Sequence, residues 1–366
     1  MGVNTHPAAA PAAGAVAARG TVLAVDAGNS KTDVAVVGPD GAVLGTARGG
    51  GFQPPRTGLT AALDALGETV GRAFSRAGTA QAGHVSACLA NADLPVEEAE
   101  LADAVRERGW GRTAQVRNDT FAVLRAGLPQ GAEPRGVAVV CGAGINCVGM
   151  LPDGRTARFP AIGRISGDWG GGQGLAEEAL WHAARAEDGR GEPTALALAL
   201  PGHFGLPSMY ALIEALHLGR IPMARTHELT PVLFAAGADG DPVARALVRR
   251  LAEEVVTMAA VALRRLGLLD ETAPVLLGGG VLAAGHPELN ERIRALLADR
   301  APKAVVDVVT APPVLGAALL GLDRTGASAE AYARLRAHYG GPPMPSSGSD
   351  ASDASDASDS ADPSDG

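Results

Sequence analysis

Aromatic side chains are scarce in this sequence, at 3% of 366 residues, so a hydrophobic share of 46% must build its cores mostly from Ala, Val and Leu. Only three cysteines occur, Cys88, Cys141 and Cys147, which excludes a disulfide framework, and no CxxC pair is present to hold a structural zinc. No apolar run of about 18 residues escapes interruption by charge, Gly or Pro, so no membrane span is expected. The first residues, MGVNTHPAAAPAAGAVAARG, lack the basic segment followed by an apolar one that marks a secretory leader. A basic excess is missing too. The formal charge is −9, and the six aspartates from Asp350 to Asp365 leave only −3 for the remainder, so nothing suggests nucleic acid. His84, His182, His203 and His217 are scattered without metal-ligand spacing. The expectation is a soluble cytoplasmic protein with neither nucleic-acid nor membrane partners, with a homodimer left open.

What is present is a pattern that occurs twice. Strands are expected at 22–26, 33–38 and 42–47, then a helix over 57–77, where Leu59, Leu63, Leu66, Val70 and Phe74 recur at helical spacing. A strand near 84–90, a helix over 95–108 and a strand near 113–117 follow. The second block begins the same way, with strands at 136–141, 145–151 and 155–159. Helices then dominate 172–267, before strands at 274–277 and 304–309 and helices at 287–298 and 313–322. Both blocks turn through Pro-Asp-Gly, at Pro39–Gly41 and Pro152–Gly154. The expected organisation is therefore an N-terminal domain over 20–132 and a C-terminal domain over 133–325 with a helical insert at 172–267. Residues 1–19 and the Ser/Asp/Ala-rich 340–366 are expected to be disordered, since little there offsets ordering entropy. Two similar α/β domains facing each other would form a ligand cleft.

The chemistry sits in the turns. VLAVDAGNSKTDVAVV packs Asp26, Asn29, Ser30, Lys31 and Thr32 into one hairpin. Backbone amides of such a loop can cradle phosphate, Lys31 and Thr32 can add a charge and a hydroxyl, and Asp26 can hold Mg²⁺ through water. A hairpin turn favours polar residues for conformational reasons alone, so both readings stand at this point. VVCGAGINCVG repeats the idea with Gly142, Ala143 and Gly144, and Gly278-Gly279-Gly280 follows the apolar strand PVLL. Glycine in these places lets backbone approach a nucleotide closely. Asp119, in VRNDTF, follows a strand and opens an apolar helical segment, where it fits a general base and a helix N-cap equally well. Asp168, in SGDWGGGQG, precedes a helix that it can cap, and its other use is to grip ligand hydroxyls rather than to move the proton.

Taken in order, DAGNSKT, CGAGIN, GRISGDWGGG and PVLLGGGVL resemble the actin-like ATPase superfamily of sugar kinases and hexokinase. Within it the chain looks like the BadF/BadG/BcrA/BcrD-type group that includes N-acetylglucosamine kinase, over residues 20–323. The resemblance implies two actin-like (ribonuclease H-like) α/β domains facing across a nucleotide and sugar cleft. It implies ATP and Mg²⁺ as cofactors, with Asp26 toward the metal and Asn29, Ser30, Lys31, Thr32, Gly142, Ala143 and Gly144 toward the phosphates. Gly279 and Gly280 fall on the adenine and ribose loop. Asp119 matches the catalytic base, and Gln53, Asn118, Ile145, Asn146, Gly163 and Asp168 match sugar-pocket positions. The activity implied is phosphorylation of an amino sugar, foremost N-acetylglucosamine to its 6-phosphate.

Three departures accompany the match. The second phosphate loop commonly carries Thr and Ser where this chain has Ala143 and Ile145, so contact there must rest on backbone amides. Gln53 replaces an asparagine, and Ile162 stands where an aromatic can occur. Two other readings are weighed beside the kinase: a nucleotide- or sugar-binding sensor without turnover, and an ATP-driven activator of 2-hydroxyacyl-CoA dehydratases. The latter would need an iron–sulfur cluster held by two cysteines from each chain.

Overall fold

The computed structural model describes residues 20–340; the expectations for residues 1–19 and 341–366 lie outside the described residues, while Gly340, counted with the disordered tail, ends a helix instead. The first half contains β1 (Val22–Ala27), β2 (Lys31–Val37), β3 (Val43–Gly50), α1 (Pro54–Thr57), α2 (Leu59–Ala77), β4 (Ala82–Leu89), α3 (Pro95–Glu107), β5 (Gly111–Asn118) and α4 (Thr120–Gly127). The second contains β6 (Gly136–Cys141), β7 (Ile145–Met150), β8 (Thr156–Arg158), α5 (Gly171–Glu187), α6 (Leu196–His203), α7 (Met209–His217), α8 (Leu229–Ala238) and α9 (Pro242–Leu266). It continues through β9 (Ala273–Gly278), α10 (Gly280–Ala283), α11 (Pro287–Arg300), β10 (Ala304–Val308), α12 (Pro313–Thr325) and α13 (Ala329–Gly340).

The duplication read from the sequence is present in the topology. One five-stranded sheet runs β3-β2-β1-β4-β5 and the other β8-β7-β6-β9-β10, the same order element for element. In each, the first three strands are antiparallel neighbours, while β4 and β5, or β9 and β10, join in parallel. The central strand β1 is buried along its whole length, which is why VLAVDA reads as a nearly continuous apolar run instead of alternating. Helix signals are equally local. Asp241 caps α9 by accepting from the Ala244 N–H at 2.8 Å, and Gly267 stops it in a left-handed conformation, φ 73°.

Between the sheets lie α4 and α12. A single buried cluster joins Val22, Ala35 and Cys88 of the first sheet to Ala138, Val148 and Leu276 of the second, through Phe121, Leu124, Leu315 and Leu319 of these two helices. The helices meet backbone to backbone. A Cβ on Gly316 would stand 1.7 Å from the Ala122 carbonyl oxygen and 2.9 Å from the Ala126 nitrogen, so only glycine permits this crossing. Arg125 of α4 and Asp323 of α12 lock it with paired hydrogen bonds of 2.8 and 3.0 Å.

Two helices have no counterpart in the sequence expectations, the single turn α1 and the longer α13. In α13 only Ala331 and Leu335 are buried, too sparse an apolar stripe to announce a helix. It packs back on the first half, with Arg334 paired to Asp40 and Tyr332 donating to Asp323 at 3.0 Å.

Candidate functional site

Asp26 ends β1, and the turn behind it is tied down from three sides. The Gly28 N–H donates to the Lys31 carbonyl at 2.9 Å, closing the turn. Gly51 lies flat against the loop, where a Cβ would come within 2.1 Å of the Asn29 carbonyl oxygen. Gln53 Nε2 donates to that same carbonyl at 2.6 Å, while Asn91 Nδ2 donates to Asn29 Oδ1 at 3.1 Å and to the Phe52 carbonyl at 3.0 Å. With its acceptors so engaged, the loop leaves the N–H groups of Asn29 and Ser30 without a hydrogen-bond partner among the described residues.

The second loop is built to the same end by different means. The N–H groups of Gly172 and Gln173, in the first turn of α5, take the carbonyls of Gly142 and Ala143 at 2.7 and 3.0 Å. Gly171 makes this approach feasible: with φ 75°, a Cβ there would sit 2.5 Å from the Ala143 oxygen. The N–H groups of Ala143 and Gly144 are again unpartnered among the described residues, and open space lies where Gly142 and Gly144 would carry side chains. Gly279, φ 83°, rests its α-carbon against the Cys141 backbone, where a Cβ would be 2.5 Å from the carbonyl oxygen. These loops, with Asp26, Asp93 and Asp119, enclose a cleft of about 310 Å³.

The two uses of Asp119 separate here. It occupies the N-cap position of α4 yet makes no capping hydrogen bond. The Thr120 N–H instead donates to Asn118 Oδ1 at 2.9 Å, so the neighbour does the capping. Asn118, 2% exposed, is a hub. It donates to Asp93 Oδ1 at 2.8 Å and accepts from Asn146 Nδ2 at 3.1 Å, tying together the ends of β4, β5 and β7.

The half-buried Asp119 carboxyl lies within electrostatic reach of two others, Asp26 and Asp93. Burial, then repulsion by Asp119 and Asp33, pushes Asp26 up to about 8, against the pull of Lys31. Burial, followed by Asp119 and Glu97, pushes Asp93 to about 7, with Arg158 opposing. Burial raises Asp119 to about 6, partly offset by contacts with Thr120. Such a set favours a cation. Yet no group of three or more His, Cys, Asp and Glu side chains is arranged to hold a metal among the described residues. The donors thus suit Mg²⁺ arriving with phosphate oxygens and its own waters, through Asp26, and not a resident protein-caged ion.

Of the remaining residues read from the sequence, Ser30, Lys31, Ile145 and Asn146 line the cleft. Lys31 Nζ lies 3.3 Å from Asp33 while its side chain stays half exposed. Thr32 does not line it; its hydroxyl donates to the Gly50 carbonyl at 2.8 Å. Gln53 braces the first loop and likewise stands outside the cleft lining, and Gly280 begins α10 just beyond it. Gly163 and Asp168 lie in an adjoining cavity of about 250 Å³ that shares Ala143, Gly144, Ile145 and Ala161 with the cleft. There the Gly163 N–H donates to Asp168 Oδ2 at 3.0 Å. Ala161, on the shared wall, holds φ 51°, a left-handed conformation costly for alanine.

Asp93 and Asn91 were absent from the residues expected. The available signal was position: LANADLP follows β4, and ligands of open α/β sheets gather at carboxyl ends of parallel strands. The cysteines are elsewhere. All three are buried, and Cys141, for one, is pushed up to about 12 by burial.

Several known proteins are similar to this chain. An N-acetylmuramic acid/N-acetylglucosamine kinase of Clostridium acetobutylicum is 25% identical over 263 residues, covering 71% of this chain and 85% of that one. An N-acetyl-D-glucosamine kinase of Dictyostelium discoideum is 26% identical over 211 residues, 57% of this chain and 65% of its own length. Among solved structures, a protein of Chromobacterium violaceum provisionally described as an N-acetylglucosamine kinase superposes with a TM-score of 0.63 at 25% identity, covering 82% of this chain and 98% of that one. A ROK family glucokinase from Streptomyces griseus, solved with glucose and AMPPNP, gives 0.52 at 21% identity over 83% and 98%, so the fold is that of the actin-like sugar kinases. The model of the BadF/BadG/BcrA/BcrD ATPase family matches residues 23–321, and to that family the chain belongs.

Proposed function

We propose that the protein is an ATP-dependent kinase of an amino sugar, acting on N-acetylglucosamine at its 6-hydroxyl. The observation that carries this reading is Asp119: a carboxylate lining the cleft, relieved of helix capping, together with two loops whose amide N–H groups are free to take an anion. Both curated relatives take N-acetylglucosamine by name, which supports the substrate class.

The chain's residues divide the work. Asp119, raised to about 6, is largely ionised near pH 7 and basic enough to accept the proton of an attacking hydroxyl as the new bond forms. The N–H groups of Asn29, Ser30, Ala143 and Gly144 are directed to the phosphates, with Lys31 adding charge. Asp26 serves the metal that accompanies the nucleotide; when bound, Mg²⁺–ATP supplies the phosphoryl group and neutralises its developing charge. Asn146, Asp93 and Asp168 take the sugar hydroxyls, with the Gly163 N–H holding the Asp168 carboxylate in place. Movement of the halves about the α4–α12 crossing would shut water out, sparing the nucleotide from hydrolysis.

Buried Cys88, Cys141 and Cys147 argue against the dehydratase activator, which needs thiols at a surface between chains. The test is ADP release over a panel of N-acetylglucosamine, glucosamine, N-acetylmuramic acid, glucose and no sugar. Release stimulated by N-acetylglucosamine above the others is the expected result. Stimulation by none would leave the sensor reading in its place.

A further inference from the structure

A second cavity, about 490 Å³ in volume, is larger than the cleft and lies along β5 from Thr113 to Arg117, between the two halves. Its walls come from β4 and β5, from α12, and from the turn between β7 and β8. Two guanidinium groups line it, Arg117 and Arg324, together with the imidazole of His84, whose pKa is lowered by burial and by the neighbouring Arg324. Much of their hydrogen-bonding capacity is unspent. His84 is 4% exposed; its Nδ1 lies 2.9 Å from Thr113 Oγ1, whereas Nε2 is buried with no partner. Arg117 has a buried Nε without a partner, and its guanidinium lies over the Phe121 ring, 5.3 Å away, with no hydrogen bond or ion pair among the described residues. Arg324 has neither hydrogen bond nor ion pair among the described residues. The one acid in the wall, Asp323, is already neutralised, with both oxygens on Arg125 at 2.8 and 3.0 Å and the Tyr332 hydroxyl at 3.0 Å.

Burying a polar group without a partner costs roughly 1–3 kcal/mol, and two such groups in one basic cavity are arranged for something that is not protein. We propose that this cavity is a second ligand site, separate from the cleft, that takes a small phosphate-bearing molecule. A tetrahedral oxyanion presents acceptors in several directions at once, which suits donors arriving from β4, β5 and α12, and guanidinium groups pair with it bidentately. The volume leaves room for a sugar-sized body on the phosphate. Because the walls belong to both halves, a bound ligand would touch both, and Arg117 stands two positions before Asp119 on the same strand end. The inference stands whether or not the chain is an amino sugar kinase.

The test is calorimetric titration of inorganic phosphate and sulfate into the full chain, and into Lys31→Ala, which weakens anion binding in the cleft. One saturable site should persist in Lys31→Ala. Losing one charged contact should weaken it about tenfold or more in Arg324→Gln, an exposed position whose change leaves the fold intact, and similarly in Arg117→Gln. Absence of saturable binding would overturn the proposal. So would binding that vanishes in Lys31→Ala but is unchanged in Arg324→Gln, since the anion would then reside in the cleft.

Discussion

Asp26→Asn should make the ligand-free protein more stable, by an amount that grows with pH. Asp26 is 6% exposed, and its carboxyl is displaced from 3.8 to about 8. For an acid raised in the folded state, the native chain keeps a proton that the unfolded chain releases, so stability falls as pH climbs between the two values. Below 3.8 both states are protonated and the effect vanishes; above about 8 both are ionised and it levels off. Between these limits each unit costs about 1.4 kcal/mol, or roughly 4 kcal/mol by pH 7 as an order of magnitude. Asparagine has nearly the same shape and no proton to hold, so it escapes this slope. It also relieves Asp119, whose charge raises Asp26, which adds in the same direction. In a chain this long the advantage translates to about 2 °C in melting temperature per pH unit. Thermal melts from pH 5 to 8 without nucleotide would measure it. The same variant should lose most of the stabilisation that Mg²⁺–ATP gives wild type, because the carboxylate pair that favours a cation is gone. A melting difference that stays flat across that pH range would refute the argument, since Asp26 would then titrate as an ordinary carboxyl.

Asp119→Asn should keep the fold and most nucleotide affinity while kcat falls by about 10²–10⁴, measured by steady-state kinetics with the best sugar. Wild-type turnover in that variant would move the search for the base to Asp168. Gly316→Ala should destabilise by about 1–3 kcal/mol or more in denaturant melts. Its Cβ would need the helices to part from 1.7 Å toward an ordinary carbon–oxygen contact of about 3.3 Å, so an undisturbed melt would show that α4 and α12 do not cross so closely.

Much of this architecture could be read from hydrophobic periodicity because its strands are short, apolar and separated by explicit turn residues. VLAVDA, GVAVVC and APVLLG each announce a buried strand, and each is followed by small residues that let backbone approach a ligand closely. What could not be read was which polar group serves which partner. Asp119 and Asn118 are adjacent, both suited to capping α4, and only the three-dimensional arrangement assigns the cap to Asn118. Thr32 and Gln53 have the right chemistry for ligand contact, yet their hydrogen bonds go to Gly50 and Asn29. Asp93 was invisible because its importance comes from β4 lying beside β5, a pairing across 29 residues that leaves no local mark. The helix α13 was hidden by its own composition, since alanine and arginine cover most of its surface.

The return of α12 and α13 to the first sheet has a consequence for how the molecule is made. Ser86 of β4 donates to the Ala317 carbonyl at 2.6 Å, and Gly321 rests against Val22 and Ser86, so residues past 313 roof strands laid down near the start. On the ribosome, the underside of that sheet emerges bare and must wait for the last stretch of chain before it is covered. Cutting the gene between the sheets would therefore yield an N-terminal fragment with an open apolar floor. Its rescue would call for supplying residues 313–340 as a separate peptide or circularly permuting the chain so that α12 precedes β1.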